Sequence, residues 1–229
     1  MDAKFSCDRT CPLHNERFCR FRGVLDSLGP VKVSSHVATI RVEIRDLDAL
    51  AIACERLGLE LVRGQTTYKW WGRSVGDHPL PEGYTADDLG KCLHAIRVKG
   101  DSRAYEIGVV LNRDGSGSYG LIWDFFAGGY GMEDKVGAEC NRLVSEYQVA
   151  VVEQQAKSLG WLYERTGNDI SVFHPQGGVI VVKNGKTAEA SGFVGTGCHE
   201  AAMALSLKYE SMNVLPEYGQ VAAKVQVGA

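Results

Sequence analysis

Between His36 and Gly58 the apolar period of the chain changes from about two to about 3.6 within a few residues. In "HVATIRVEIRD", Val37, Ile40, Val42 and Ile44 come close to alternating with polar residues, the pattern of a half-buried strand of about six or seven residues. The run passes straight into "DLDALAIACERLGLEL", where Leu47, Leu50, Cys54 and Leu57 share one helical face. Asp46 or Asp48 can cap the start of that helix, and Gly58 suits its end. A strand and a helix with one apolar face each must bury those faces against other elements, which points to layers of helix on sheet. Cys54, on the apolar face, reads as an inert core thiol.

Three further strands are predicted in "HAIRVKG", "YEIGVVLNRDG" and "YGLIWDFF". The Asp-Gly pair of "RDGSGS" supplies the backbone angles of a tight hairpin turn between the second and third. A long helix is expected from Asp134 to Leu159, with Val136, Cys140, Leu143, Tyr147, Ala150 and Val151 as its buried stripe and Gly160 as its stop. "WLYERTGNDISVFHPQGGVIVVKNG" reads as strands and tight turns, followed by a short helix around Glu200 to Tyr209 and a loose tail. The predicted fold class is α+β: a mainly antiparallel sheet with helices packed on one face, preceded by a Cys-rich N-terminal extension.

A chain of 229 residues is long enough for one large domain or two small ones. Its net charge of -3 is too near balance to imply wholesale nucleic-acid binding. No apolar run approaches the roughly 18 residues of a membrane span, and the first residues lack the layout of a secretory signal, so a cytoplasmic location and no membrane partner are expected. Seven cysteines, an odd number and four of them within apolar patterns, argue for reduced thiols rather than a disulfide framework.

"SSHVATIRVEIRDLDALAIACERLGLEL", "YEIGVVLNRDGSGSYGLIWDFF" and "NRLVSEYQVAVVEQQAKSLGW" together resemble the family called domain of unknown function 1257, the hypothetical chloroplast reading frame 35 group. "KWWGRSVGDHPLPEGYTADDLGKCLHAIRV" resembles a variant form found in phage and bacterial members. "ISVFHPQGGVIVVKNGKTAEASGFVGTGCHEAAMAL" resembles domain of unknown function 2997. On this resemblance the chain divides into an extension at 1–34, a family 1257-like domain at 35–167, a family 2997-like strand-strand-helix region at 168–212 packed on the same sheet, and a tail at 213–229. The resemblance implies no assigned activity, no catalytic residues and no cofactor. The association of such proteins with AAA-type ATPases implies an accessory or adaptor role.

Three groups of residues invite a functional reading. In "CDRTCPLHNERFCRFRG", Cys7, Cys11, His14 and Cys19 are four ligand types that a zinc ion accepts in a tetrahedron. The alternative is a tail whose cysteines are incidental, or which packs Phe18 and Phe21 on the main domain. With metal bound, its arginines and phenylalanines would offer a nucleic-acid-binding accessory surface. The second group is the excursion "YKWWGRSVGDHPLPEGYTADDLGKC". Pro79 and Pro81 stiffen it, and Thr85 is placed to cap a single helical turn. Trp70 and Trp71 are adjacent, so one indole is expected to be buried and the other exposed. With Asp77, His78, Asp87, Asp88 and Lys91 they form a candidate surface for a protein partner or small ligand, against the alternative that the excursion only covers one end of the sheet. The third group is Cys92, His94 and Asp124, an alternative pocket for an enzyme or a nucleotide-handling protein. Cys92 and His94 share a face if "KCLHAIRV" is one strand. The expected function is a non-enzymatic binding or adaptor protein, with the partner's identity and the oligomeric state not readable from sequence.

Overall fold

Asp46 begins the first helix as its residue type requires: its carboxylate accepts from the amides of Asp48 (2.8 Å) and Ala49 (3.0 Å), two of the donors a helix start leaves unpaired. This helix, α1, runs Leu47–Arg56 and buries Leu50, Ala53 and Cys54 completely. Burial pushes the Cys54 thiol up to about 12, so it stays protonated and unreactive. The structure, a computed structural model, describes residues 33–40, 43–72, 82–194 and 197–215, of which 33–40 and 209–215 are described by their backbone.

The fold is α+β with antiparallel pairing throughout, and its strands form two sheets. The four-stranded sheet holds β2 (Leu59–Arg63), β3 (His94–Val98), β4 (Ile107–Leu111) and β5 (Tyr119–Ile122), in the order β2-β3-β4-β5. The "RDGSGS" turn joins β4 to β5 as expected, with Leu111 opposite Tyr119. The six-stranded sheet contains β1 (Val33–Ile40), β6 (Leu162–Thr166), β7 (Asp169–Phe173), β8 (Val179–Lys183), β9 (Thr187–Val194) and β10 (Tyr209–Leu215), in the order β10-β1-β9-β8-β7-β6. The alternating run after His36 serves both sheets. Its first half is β1, while Ile44 pairs singly with Tyr119 beside β5.

Between Ile122 and β6 the chain forms two helices, α2 (Met132–Val136) and α3 (Asn141–Leu159). One stripe of α3, Leu143, Tyr147, Ala150 and Val151, packs with α1 and with Leu59, Ile96, Ile107 and Val109 of the four-stranded sheet. A neighbouring stripe, Val149, Val152 and Ala156, packs with Ile170, Val172, Ile180 and Val182 of the six-stranded sheet. The last helix, α4 (Gly197–Ala204), adds Cys198, Ala201 and Ala202 to that second core. One helix thus contributes to two cores. Each large apolar side chain so buried is worth roughly 1.5–3 kcal/mol.

Several sequence expectations need correction. The helix expected from Asp134 is broken: Gly137, Glu139 and Cys140 have positive φ, and a Cβ on Gly137 would lie 2.3 Å from Asn141 Oδ1. Residues 209–215, expected to end a helix and begin a loose tail, pair with β1 as an edge strand. The division at 167/168 falls inside the β6–β7 hairpin, where Thr166 pairs with Asp169. The placing of the 168–212 region on one sheet with earlier strands needs no correction, since β1 and β6 lie in its sheet.

Candidate contact surface

The excursion from Gly64 to Cys92 leaves β2 and returns to β3, and its stem is a short backbone pairing. Tyr68 N donates to Gly90 O (3.1 Å), Cys92 N to Thr66 O (3.0 Å), and Thr67 bridges Lys91. Two glycines let aromatic rings sit against this backbone. A Cβ on Gly108 would fall 2.5 Å from the Tyr68 ring, and one on Gly90 would fall 2.7 Å from Trp70 Nε1. Tyr68, Ala95, Val110 and Ile122 form a third small core, with Trp70, Tyr84, Leu89 and Cys92 packed around it. The excursion therefore covers the sheet face opposite α1 and α3. The covering role falls to Tyr68, Trp70, Tyr84 and Leu89, and Trp71 takes no part in that core.

Trp70 belongs to the covering role and is half-buried. Trp71 turns outward, 46% exposed, and stacks on Phe126, 55% exposed, with ring centroids 5.3 Å apart and planes 15° from parallel. One carboxylate ties the two segments together: Asp124 accepts from Trp71 N (3.1 Å) through Oδ2 and from Phe126 N (2.8 Å) through Oδ1. Beyond Phe126 the backbone is left-handed over Ala127, Gly128, Gly129, Tyr130 and Gly131. For a residue with a Cβ this conformation costs about 1–2 kcal/mol, so Ala127 and Tyr130 store strain while the glycines do not. Tyr105 N donates to Gly129 O (2.9 Å), and the Tyr105 ring meets Tyr130 edge-on at 5.0 Å. Tyr130 is itself 53% exposed. Loss of water, with Tyr130 and Asp124 nearby, raises the pKa of the Tyr105 hydroxyl. The result is an outward-facing set of Trp71, Phe126 and Tyr130, fixed by Asp124 and a strained turn.

No family model, curated protein or solved structure matches this chain.

The other sequence candidates have separate places. Asp77 and His78 lie outside the described residues, as do Cys7, Cys11, His14 and Cys19. Asp87 is exposed on a single 3-10 turn, Ala86–Asp88, that starts after Thr85 as expected. Asp88 is a fastener: it accepts from Arg113 Nη2 (2.8 Å) and Nη1 (3.2 Å) and from Thr85 N (3.0 Å). Arg113 and Thr85 hold the Asp88 carboxyl down at about 2. The Arg113 guanidinium also lies 4.0 Å over the Tyr84 ring, and Tyr84 donates to Leu111 O (2.6 Å), so this group pins the excursion to β4. Lys91 is exposed at the stem.

Cys92 and His94 do not share a face. The strand begins only at His94, because Lys91 pairs with Thr67 and Leu93 N donates to Val109 O. Cys92 packs in the third core and donates to Gln65 O (3.1 Å). Burial, with Glu106 nearby, pushes its thiol up to about 11. His94 stands opposite Val109, on the α1 side, where its Nδ1 accepts from Gly64 N (3.0 Å) and its ring is 5.8 Å from Tyr119. Burial and Arg63 lower its pKa. These surroundings favour a neutral thiol and a neutral imidazole, the reverse of an activated pair. Asp124 is engaged with two backbone amides. Among the described residues, no group of three or more His, Cys, Asp or Glu is placed to hold a metal ion, and no helix is long and apolar enough to cross a membrane.

The sequence reading missed Phe126, Tyr130 and Tyr105. "FAGGYG", Phe126 to Gly131, carried the available signal: two aromatics around two glycines mark a backbone reversal that displays its side chains.

Proposed function

We propose that this chain is a non-enzymatic binding or adaptor protein that meets a protein partner through Trp71, Phe126 and Tyr130. The observation that carries the reading is the exposed Trp71–Phe126 stack, anchored by Asp124 at its backbone rather than by packing of the rings themselves. Aromatic side chains supply large contact area at little conformational cost and dominate interface energetics when their positions are fixed in advance. Local strain at Ala127 and Tyr130 agrees with a surface held for recognition, since such strain costs stability and persists where the surrounding structure imposes it. The resemblance to the family 1257 proteins supports an accessory role, with a AAA-type ATPase as the class of partner it suggests. Zinc at Cys7, Cys11, His14 and Cys19 is a separate proposal, carried by the four ligand types these residues supply.

Affinity capture from the source cell with the full chain tests the proposal. The wild type is expected to retain a specific protein, and a Trp71→Ala/Phe126→Ala variant to retain at least about tenfold less, with unchanged circular dichroism, because each lost anchor costs more than about 1 kcal/mol. Equal retention by a folded variant removes this surface from the function.

A further inference from the structure

Two carboxylates stand beside the exposed aromatic set, and among the described residues neither has a basic partner. Asp124 accepts from the amides of Trp71 and Phe126 in hydrogen bonds that lie at the surface, and no described arginine or lysine forms an ion pair with it. Glu133 follows the left-handed turn and reaches back over it: a Cβ on Gly128 would lie 3.8 Å from Glu133 Oε2. Among the described residues the Glu133 carboxylate has neither a hydrogen bond nor an ion pair. The described cations closest to these groups in sequence are engaged elsewhere. Lys69 donates to the carbonyls of Ser102 (2.8 Å) and Arg103 (3.1 Å), and Lys135 Nζ lies by Gly58, 3.8 Å from where a Cβ there would be.

Trp71 and Phe126 each shield one face of the other, and about half of each side chain stays in water. An aromatic face carries the negative part of the ring's quadrupole, and the two carboxylates add a field of the same sign. A cation gains from both, whereas an anion is repelled by both. The fold already contains this combination in closed form. Arg113 lies 4.0 Å over the Tyr84 ring while its fork donates to Asp88 at 2.8 Å and 3.2 Å, so ring, guanidinium and carboxylate form one unit. At Trp71 the ring and the carboxylate face outward.

We propose that the group received at this surface is an arginine side chain of the protein partner, laid flat on the Trp71–Phe126 pair with its fork toward Asp124 or Glu133. The inference rests on the contact reading above and narrows it to one partner chemistry. Arginine is favoured over lysine because its guanidinium is planar, stacks on aromatic faces and is more weakly hydrated than an ammonium, so less is lost when the interface sheds water. The charge is complementary: the partner's cation meets carboxylates that no described basic side chain neutralises.

The test is a nitrogen-15 nuclear magnetic resonance titration of the full chain with the peptide acetyl-Ala-Arg-Ala-amide and with two relatives: a citrulline form, which keeps the shape and loses the charge, and a lysine form. Saturable shifts of the Trp71 indole N–H and of the amides along 124–130 are expected with the arginine peptide at low salt. Binding should be about fivefold or more weaker for citrulline, weaker also for lysine, and should fall as salt is raised. Glu133→Gln removes a charge and no internal hydrogen bond, so it is expected to fold as the wild type does and to weaken the arginine peptide about twofold or more. No saturable shift with the arginine peptide, or equal binding of the citrulline or lysine form, would overturn the inference. The capture experiment keeps that failure separate from failure of the contact reading. If the Trp71→Ala/Phe126→Ala variant still loses its protein, the surface stands with a partner of other chemistry; if retention is undiminished, both readings fall.

Discussion

At the scale of single residues, the hairpin between β8 and β9 shows how tightly one position can be determined. Asn184 and Gly185 both have positive φ, in a turn closed by Lys186 N donating to Lys183 O (3.0 Å) between strands paired at Lys183 and Thr187. The turn lies against α3, where Ser145 Oγ donates to Asn184 O and a Cβ on Gly185 would fall 2.3 Å from the Ser145 carbonyl oxygen. Gly185 therefore serves two needs, the left-handed angle and the close approach. Gly167, at the β6–β7 turn, has a similar φ of +62°, but a Cβ there would meet open space among the described residues. Gly167→Ala is expected to cost about 1–2 kcal/mol from backbone conformation alone. Gly185→Ala should cost about 1–3 kcal/mol more, since the turn must also move off the helix. Urea unfolding of both variants measures the difference, and equal losses would show that the contact with Ser145 is unimportant. The "NG" at 184–185 announces its turn in the sequence; its contact with Ser145, about forty residues earlier, could not be read there, because only the packed fold brings them together.

At the scale of elements, α3 is fastened to its neighbours by charge as well as by apolar contact. Glu146, 4% exposed on α3, accepts from Arg56 at the end of α1 (3.3 Å) and from Arg165 on β6 (2.5 Å). Arg56 also reaches Glu153 (2.5 Å), which takes Lys157 (2.7 Å) one turn on. Both arginines keep about a quarter of their side-chain surface in water, so an arginine that loses its carboxylate can partly resolvate. Removing one member of a buried pair costs roughly 3–5 kcal/mol, and Glu146→Ala is expected near the lower figure, about 3 kcal/mol. A loss below about 1 kcal/mol in urea melts would place the fastening in the apolar cores alone. Periodicity made α1 and the buried stripe of α3 legible, since Leu50, Cys54, Cys140, Leu143, Tyr147 and Ala150 are buried as their spacing predicts. It did not show the break at Gly137, where residues with ordinary helical propensity, Glu139 and Cys140, are held in the left-handed region.

At the scale of the whole molecule, the two sheets have different relations to the sequence. The four-stranded sheet is built from elements close in the chain, so its hairpin and its excursion were visible as local signals. The six-stranded sheet places β1 between β9 and β10, a pairing across about 150 residues that no local pattern encodes. The candidate surface divides in the same way. Trp71 stood out beside Trp70, but its stack on Phe126 depends on Asp124 bringing together segments more than fifty residues apart. Pairing of Cys92 with His94 looked plausible by spacing, and an irregular strand start sends the two to opposite faces. On the proposed function, the exposed stack at Trp71 is where this protein touches another. A photo-crosslinking amino acid placed at position 71, and in a separate variant at position 164 on the exposed side of β6, tests it directly in the source cell. A discrete higher-mass adduct is expected from position 71 and none from position 164. No adduct from position 71, or the same adducts from both positions, would contradict it.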